Sequence, residues 1–502
     1  MGSRIRGEEQ PGFFEILSTW LPHQPWFRAP RGRLSLTRVG GLRLPTPEGD
    51  ADSRLFLELH IFEVAHPEGP ERISVPVVLR SRPSALAGKS AFIGKLTSPE
   101  HGELWVYDGA GDRAFLAAWI EMARRGQGSR NGRSRGQAYA DFDRSEPTTV
   151  GLRRTGVEPP RDGVSRTLVI PEGAEDGPAW DQRRVVDLVR RPEGEQDELL
   201  DALVTLSQAH CEVIPKVLGT ITGAWEQKDD EEDPGYWVSG TLGVIREAGL
   251  AAPDAGTVIR EALQAGEDFR SGGEQLGRAV GTFHADLAGS FGSHPQSAEQ
   301  LRSMAGSAQT ALAQQWEQAR EEFDEDEAAD LNEVIDLMRM QLRDADEPLM
   351  LQQIHGDLGV EHLRRTAEDK WLVREPQGLM SHALGLRDVV MVLMSSADAV
   401  MQVAAETPEI LRAAAEQEEA NANAGTASSA EADAPAEPVN FGLWYEEFTQ
   451  AFLSGYRASD ADSAGVDSVF FRAAMLAEAL DLFRRWNGQW VFRPSMLLQV
   501  DN

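Results

Sequence analysis

The passage that most restricts what this chain can become runs from a strand into a loop near residue 355. Leu349-Met350-Leu351 is an apolar, strand-type approach, and it leads into Gln353-Ile354-His355-Gly356-Asp357-Leu358. About thirty residues later Leu386-Arg387-Asp388-Val389 opens an apolar helix. A loop carboxylate, Asp357, followed by a second acid, Asp388, at a buriable helix start, is a pattern for holding one loop still, because a buried acid accepts the loop's backbone N–H groups. His355 reads as a core imidazole that stabilises this loop. A carboxylate presented in this way takes the proton from a substrate hydroxyl in phosphoryl transfer, so the passage reads as the catalytic loop of a small-molecule kinase.

Around this passage the chain divides by composition. Leu55–Val64 and Ile73–Arg80 are β-branched and aromatic runs, separated by the turn signal His66-Pro67-Glu68-Gly69-Pro70, and together they predict a hairpin in a β-rich unit over residues 1–115. Pro76 predicts an edge position or a bulge in the second strand. Helical character follows over 113–125, then a Gly-, Arg- and Ser-rich stretch from Arg124 to Arg135 that reads as a solvated linker. Val185–Val189, Glu195–Ser207 and Val213–Ile221 read strand, helix, strand, within a small β-containing lobe over 150–245. Residues 255–400 and 440–502 read as one helical lobe. The Ala- and Glu-dominated stretch 403–438 reads as a low-complexity insertion, too poor in apolar surface to offset the entropy of ordering. The predicted class is α+β.

Bulk properties exclude several partners. A formal charge of −32 argues against nucleic acid and against an anionic membrane surface, since both need a basic face. The single cysteine, Cys211, excludes an intrachain disulfide and a cysteine-based zinc cluster. No apolar run approaches the roughly 20 residues of a membrane span, and no apolar signal core follows the first residues. The expectation is a cytoplasmic protein with no nucleic-acid or membrane partner.

Phosphoryl transfer from ATP uses a strand lysine on the phosphates, a helix glutamate that orients it, a loop carboxylate, and an Asn or Gln with a second acid on Mg²⁺. Several segments, in order along the chain, resemble the actinobacterial maltokinases, which belong to the aminoglycoside-phosphotransferase-like kinases. They are Leu21–Phe27, Val185–Arg191, Leu276–Ala288, Gln353–Leu358, Leu386–Val389 and Phe452–Tyr456. The resemblance implies a maltokinase-like N-terminal cap followed by a bilobal protein-kinase-like fold, with a sugar held by the helical C-terminal lobe. It implies ATP and Mg²⁺ as cofactors of an active member and Asp357 as the catalytic base, with His355 and Asp388 supporting the loop.

The same resemblance exposes departures. Asp187 stands at the position of the phosphate-binding lysine, and the charge is reversed there. Lys216 is the candidate replacement, and Arg184 and Arg190 should face away from Asp187 by strand alternation. An Asp187 with no nucleotide to bind would be a solvated strand residue. Glu198 or Glu195 would be the helix glutamate. His362 replaces the Mg²⁺-binding Gln, and imidazole is a poor ligand for so hard a cation. Glu375 falls at the metal-binding aspartate, between Arg374 and Pro376. Ser165-Arg166-Thr167 is a partial echo of the phosphate loop.

Three electrostatic parts are altered together in a reaction that depends on positioning and charge. The resulting expectation is a maltokinase-like pseudokinase without a working cofactor. It would hold a sugar or pair with an enzyme of trehalose, maltose or glycogen metabolism. The alternative is an active ATP-dependent sugar kinase acting on maltose or an aminosugar. Trp444, Trp486 and Trp490 are candidates either for stacking on a sugar or for the core.

Overall fold

A computed structural model of the chain describes residues 7–28, 34–52, 54–66, 70–129, 131–139, 142, 148–157, 163–170, 183–194, 197–228, 235–248, 252–366, 368–374, 378–406 and 440–488. The chain forms two compact units: Met1–His210 with Pro215–Ala248, and Cys211–Ile214 with Gly249–Asn502.

The first unit is built on one antiparallel sheet. Its elements are α1 (Phe13–Trp20), β1 (Leu36–Leu44), β2 (Phe56–Val64), β3 (Glu71–Arg80), β4 (Phe92–Ser98), β5 (Gly102–Asp108), α2 (Arg113–Arg124), β6 (Ser134–Ala138), β7 (Arg153–Val157), β8 (Val164–Ile170), β9 (Arg184–Val189), α3 (Glu198–Gln208), β10 (Val217–Gln227) and β11 (Tyr236–Glu247). The strand order is β4-β5-β3-β2-β1-β10-β11-β9-β8-β7, with β6 also on β10. The two apolar runs expected to pair do so, from Phe56↔Leu79 to Val64↔Glu71. Pro76 faces Leu59, and β5 begins to pair with β3 only at Val77, so the residue without an N–H sits where β3 has a strand on one side. The stretch read as a linker after Arg124 contains a strand, β6, and both Arg124 and Arg125 pair with Glu121.

Helix α2 fills the centre of this unit. Its residues Ala114 to Ala123 are all buried, and the Phe115 and Trp119 rings stack 5.5 Å apart. Asp112 caps its first turn by accepting from the Ala114 N–H, and takes a two-pronged hydrogen bond from buried Arg80 (2.9 and 3.1 Å).

The second unit is mainly helical: α4 (Ala255–Ala265), α5 (Arg270–Phe291), β12 (His294–Pro295), α6 (Ala298–Ala319), α7 (Glu325–Asp344), β13 (Met350–Ile354), β14 (Leu363–Arg365), β15 (Trp371–Val373), β16 (Met380–Ala383), α8 (Leu386–Glu406), α9 (Phe441–Arg457), α10 (Ala464–Asp467) and α11 (Val469–Arg485). The strands form a small sheet ordered β12-β13-β16 and a hairpin β14-β15. Together the two units make the α+β class expected, with a β-rich N-terminal part and a helical C-terminal part.

One expectation fails here. Helix α8 is long and apolar enough to cross a bilayer. Most of it is buried among the other helices, which accounts for its composition as that of a core helix. It continues to Glu406, so the first four residues of the low-complexity stretch are helical, while 407–439 lie outside the described residues. Trp444 is a core residue, stacked on Phe269 and Phe448, with its Nε1 donating to the Glu267 carbonyl. Trp486 donates to Asp398 at 2.9 Å, and Trp490 lies outside the described residues.

Candidate active site

The loop after β13 is held by an acid from another element. Asp388, in the first turn of α8, has no solvent exposure. One of its oxygens accepts the His355 N–H and the other the Gly356 N–H, both at 2.8 Å. The His284 Nε2 donates to it at 3.1 Å. Three donors converge on one carboxylate, at the helix end whose dipole favours negative charge. Gly356 turns the chain at φ 84°, which favours glycine, and a Cβ there would also crowd the Met380 side chain at 3.0 Å.

His355 is locked by the same loop. Its Nδ1 accepts the Asp357 N–H and its Nε2 faces the Arg374 carbonyl, both at 3.3 Å, so the proton sits on Nε2. Burial, reinforced by neighbouring His362, outweighs the charge of Asp388 and brings the imidazole down to about 4. His355 is therefore neutral at physiological pH. Beyond it Asp357 is exposed, whereas Leu358 and Val360 are buried and the Val360 N–H donates to the Ser395 hydroxyl at 3.0 Å. The loop presents one carboxylate to solvent from a backbone fixed on both sides.

Two helices complete the support. The Tyr456 hydroxyl donates to His284 Nδ1 at 2.9 Å, leaving Nε2–H for Asp388. Burial, and then the charge of Asp388, push the Tyr456 phenol up, so it remains a donor. Tyr456 and His284 can meet because α5 and α9 touch backbone to backbone. A Cβ on Gly277 would run into the Phe452 carbonyl, and one on Gly455 into that of Glu274. The sequence marked both segments, Leu276–Ala288 and Phe452–Tyr456, but nothing in it gave His284 and Tyr456 a role; their small-residue helix contacts were the available signal.

The metal side is different. His362 stands beside His355, ring centroids 5.0 Å apart, with a buried Nδ1 that has no hydrogen-bond partner among the described residues and lies 3.8 Å from a Glu361 oxygen. Among the described residues no three His, Cys, Asp or Glu side chains are grouped to hold a metal. Glu375 lies outside the described residues. The imidazole of His362 does not suit a hard, oxygen-seeking dication such as Mg²⁺.

Asp187, in the first unit, is not the solvated strand residue that a lobe without nucleotide would allow. It is 4% exposed and clamped by two arginines. Arg166 on β8, its direct cross-strand partner, donates Nε and Nη2 to the two carboxylate oxygens at 2.8 and 3.0 Å. Arg246 on β11, two residues beyond Val244, Asp187's partner on that side, donates at 2.5 Å. Burial alone would raise the carboxyl; the charge of Arg246 and the hydrogen bonds of Arg166 outweigh it and hold the group below the usual carboxylate range. Ser165-Arg166-Thr167 is therefore strand rather than phosphate loop, because its register against β9 is what brings Arg166 to Asp187.

The other sequence candidates stand elsewhere. Lys216 precedes β10, where its backbone pairs with Glu247, and β11 separates that strand from β9. Lys216 is thus not the cation beside Asp187. Arg190 is buried and bound to Asp108 (2.6 Å) and Ser165 (2.7 Å). Glu198 is exposed in the first turn of α3, and Glu195 lies outside the described residues.

Comparison with known proteins fits this layout. Residues 20–112 match the maltokinase N-terminal cap domain. The crystal structure of a glucosamine kinase in complex with glucosamine, ADP and inorganic phosphate is similar in fold, at TM-score 0.50 and 18% identity, covering 97% of this chain and 99% of that one. A second crystal structure of a glucosamine kinase gives the same TM-score and identity, covering 97% of this chain and 98% of that one.

Proposed function

For a maltokinase-like chain that carries this cap on a sugar-kinase fold, we propose a sugar-binding pseudokinase: a protein that keeps the hydroxyl-facing loop and has given up ATP-driven phosphoryl transfer. The observation that carries this reading is the Asp187 clamp. A buried carboxylate bound by two arginines stands where the resemblance puts the phosphate lysine. The hydrogen bonds of Asp187 engage the guanidinium groups of Arg166 and Arg246, so the position holds a carboxylate spent on neighbouring strands where the resemblance calls for an ammonium that grips the ATP phosphates. The imidazole of His362 is a second mismatch, on the metal side. Maltose, from the cap, and glucosamine, from the fold likeness, are the sugars to test first. The chain's charge of −32 favours the cationic one. A regulatory partnership with an enzyme of maltose, trehalose or glycogen metabolism belongs to the same proposal.

A second reading, an active sugar kinase, has one observation in its favour. Asp357 is exposed on a loop whose backbone is anchored by Asp388, which is the geometry a general base needs. A coupled kinase assay with maltose and glucosamine, alongside thermal-shift titrations with Mg-ATP and with each sugar, separates the two. The pseudokinase reading expects a sugar-dependent shift, no Mg-ATP shift and no turnover. Turnover by the natural chain that disappears in Asp357→Asn would establish the enzyme instead.

A further inference from the structure

We propose that His294 and His382 form a binding site for a borderline transition-metal dication such as Zn²⁺, formed by residues outside the Asp357 loop and its supports. His294 lies on β12 and His382 on β16, the two outer strands of the sheet whose middle strand, β13, leads into His355-Gly356-Asp357. Both rings are exposed and lean toward each other, with centroids 5.0 Å apart. His382 Nδ1 and His294 Nε2 stand 3.3 Å apart.

That separation is compatible with two arrangements. As a hydrogen bond it is at the long end of the usual range for a nitrogen donor. As the edge of a tetrahedral site it fits, because two nitrogens each about 2.05 Å from zinc at the tetrahedral angle lie about 3.3 Å apart. Two further features point the same way. His382 is held at φ 55°, the left-handed region that non-glycine residues seldom occupy. Gln353, on the strand between the two histidines, has a buried side-chain oxygen with no hydrogen-bond partner among the described residues. Imidazole nitrogens select Zn²⁺, Ni²⁺ or Cu²⁺ over Mg²⁺. A bound ion would staple β12 to β16 over β13. Because the Gly356 turn packs on Met380 of β16, the same staple would stiffen the loop that presents Asp357.

The test uses the full chain after chelator treatment. Calorimetric titration with ZnCl₂ should show one micromolar site and a raised melting temperature, and MgCl₂ should show neither. His294→Ala and His382→Ala should each weaken zinc binding by about tenfold or more, with unchanged melting temperature in chelator, while His23→Ala should leave binding intact. Cu²⁺ electron paramagnetic resonance should report two nitrogen ligands in the natural chain and lose that pattern in either variant, which keeps the test decisive should a variant fold poorly. Zinc binding that is absent, or unchanged in both variants, overturns the proposal.

Discussion

Two buried aspartates, one in each unit, show how the same side chain can be put to opposite uses. Asp187 is surrounded by formal charge: two guanidinium groups from neighbouring strands, at 2.5 to 3.0 Å. Asp388 is surrounded by dipoles: two backbone N–H groups and an imidazole N–H, at 2.8 to 3.1 Å. The first arrangement neutralises cations and fixes strands. The second gathers N–H donors and fixes a loop. A carboxylate that binds arginines closes a position electrostatically, whereas one that binds backbone positions whatever that backbone carries, here Asp357.

The contrast can be broken most directly at Asp187. Asp187→Ala removes the buried carboxylate that two half-buried arginines share and should cost about 3–5 kcal/mol, read from the denaturant midpoint. Asp187→Lys should cost more, and should not give the chain kinase activity. A loss below 1 kcal/mol would mean that the clamp is only a surface-type pair. The same clamp has a pH signature. Because the Asp187 carboxyl is held low in the fold, its contribution is complete above the unfolded value of about 3.9 and is lost as pH falls through the lowered folded value. The acid limb of the stability curve should therefore be shallower in Asp187→Asn.

Asp388→Ala should cost about 2–4 kcal/mol, because it leaves two backbone donors and His284 unsatisfied in a dry site. It should also abolish any sugar-dependent thermal shift, which Asp187→Ala should not do if the two acids serve different ends. Next comes His355. Its folded value of about 4 lies below the ordinary 6.5, so the unfolded chain takes up the extra proton. Stability conferred by the neutral ring is complete above pH 6.5 and declines as pH falls toward 4, by about 2–4 kcal/mol in all. A His355→Gln chain should lack that component of the slope. The smallest effect is expected for Tyr456→Phe, about 1 kcal/mol for one buried hydrogen bond, with the loop still in place.

These two sites were unequally legible. The loop passage and the acid of Leu386–Val389 carry their own pattern, because an apolar strand, a glycine turn and an apolar helix start are local signals. The Asp187 substitution was visible too, but not its consequence. Arg166 and Arg246 are ordinary strand residues in the one-dimensional record. Only the antiparallel register of β8, β9 and β11 brings both to one carboxylate. His284 and Tyr456 are 172 positions apart, and their hydrogen bond depends on how closely α5 approaches α9. Pro76 was read from a local rule, and its one-sided surroundings depend on where β5 stops pairing.

By itself, then, the sequence determined the α+β class, the β-rich N-terminal part and the helical C-terminal part, since each follows from periodicity and turn chemistry over a few residues, and it marked the loop that bears Asp357. Only the tertiary structure decided that Asp187 is a buried ion-pair centre, that His284 and Tyr456 stand behind Asp388, and that His294 and His382 face each other across a strand. These facts depend on strand register and helix contact, and both are settled by packing between segments far apart in the chain.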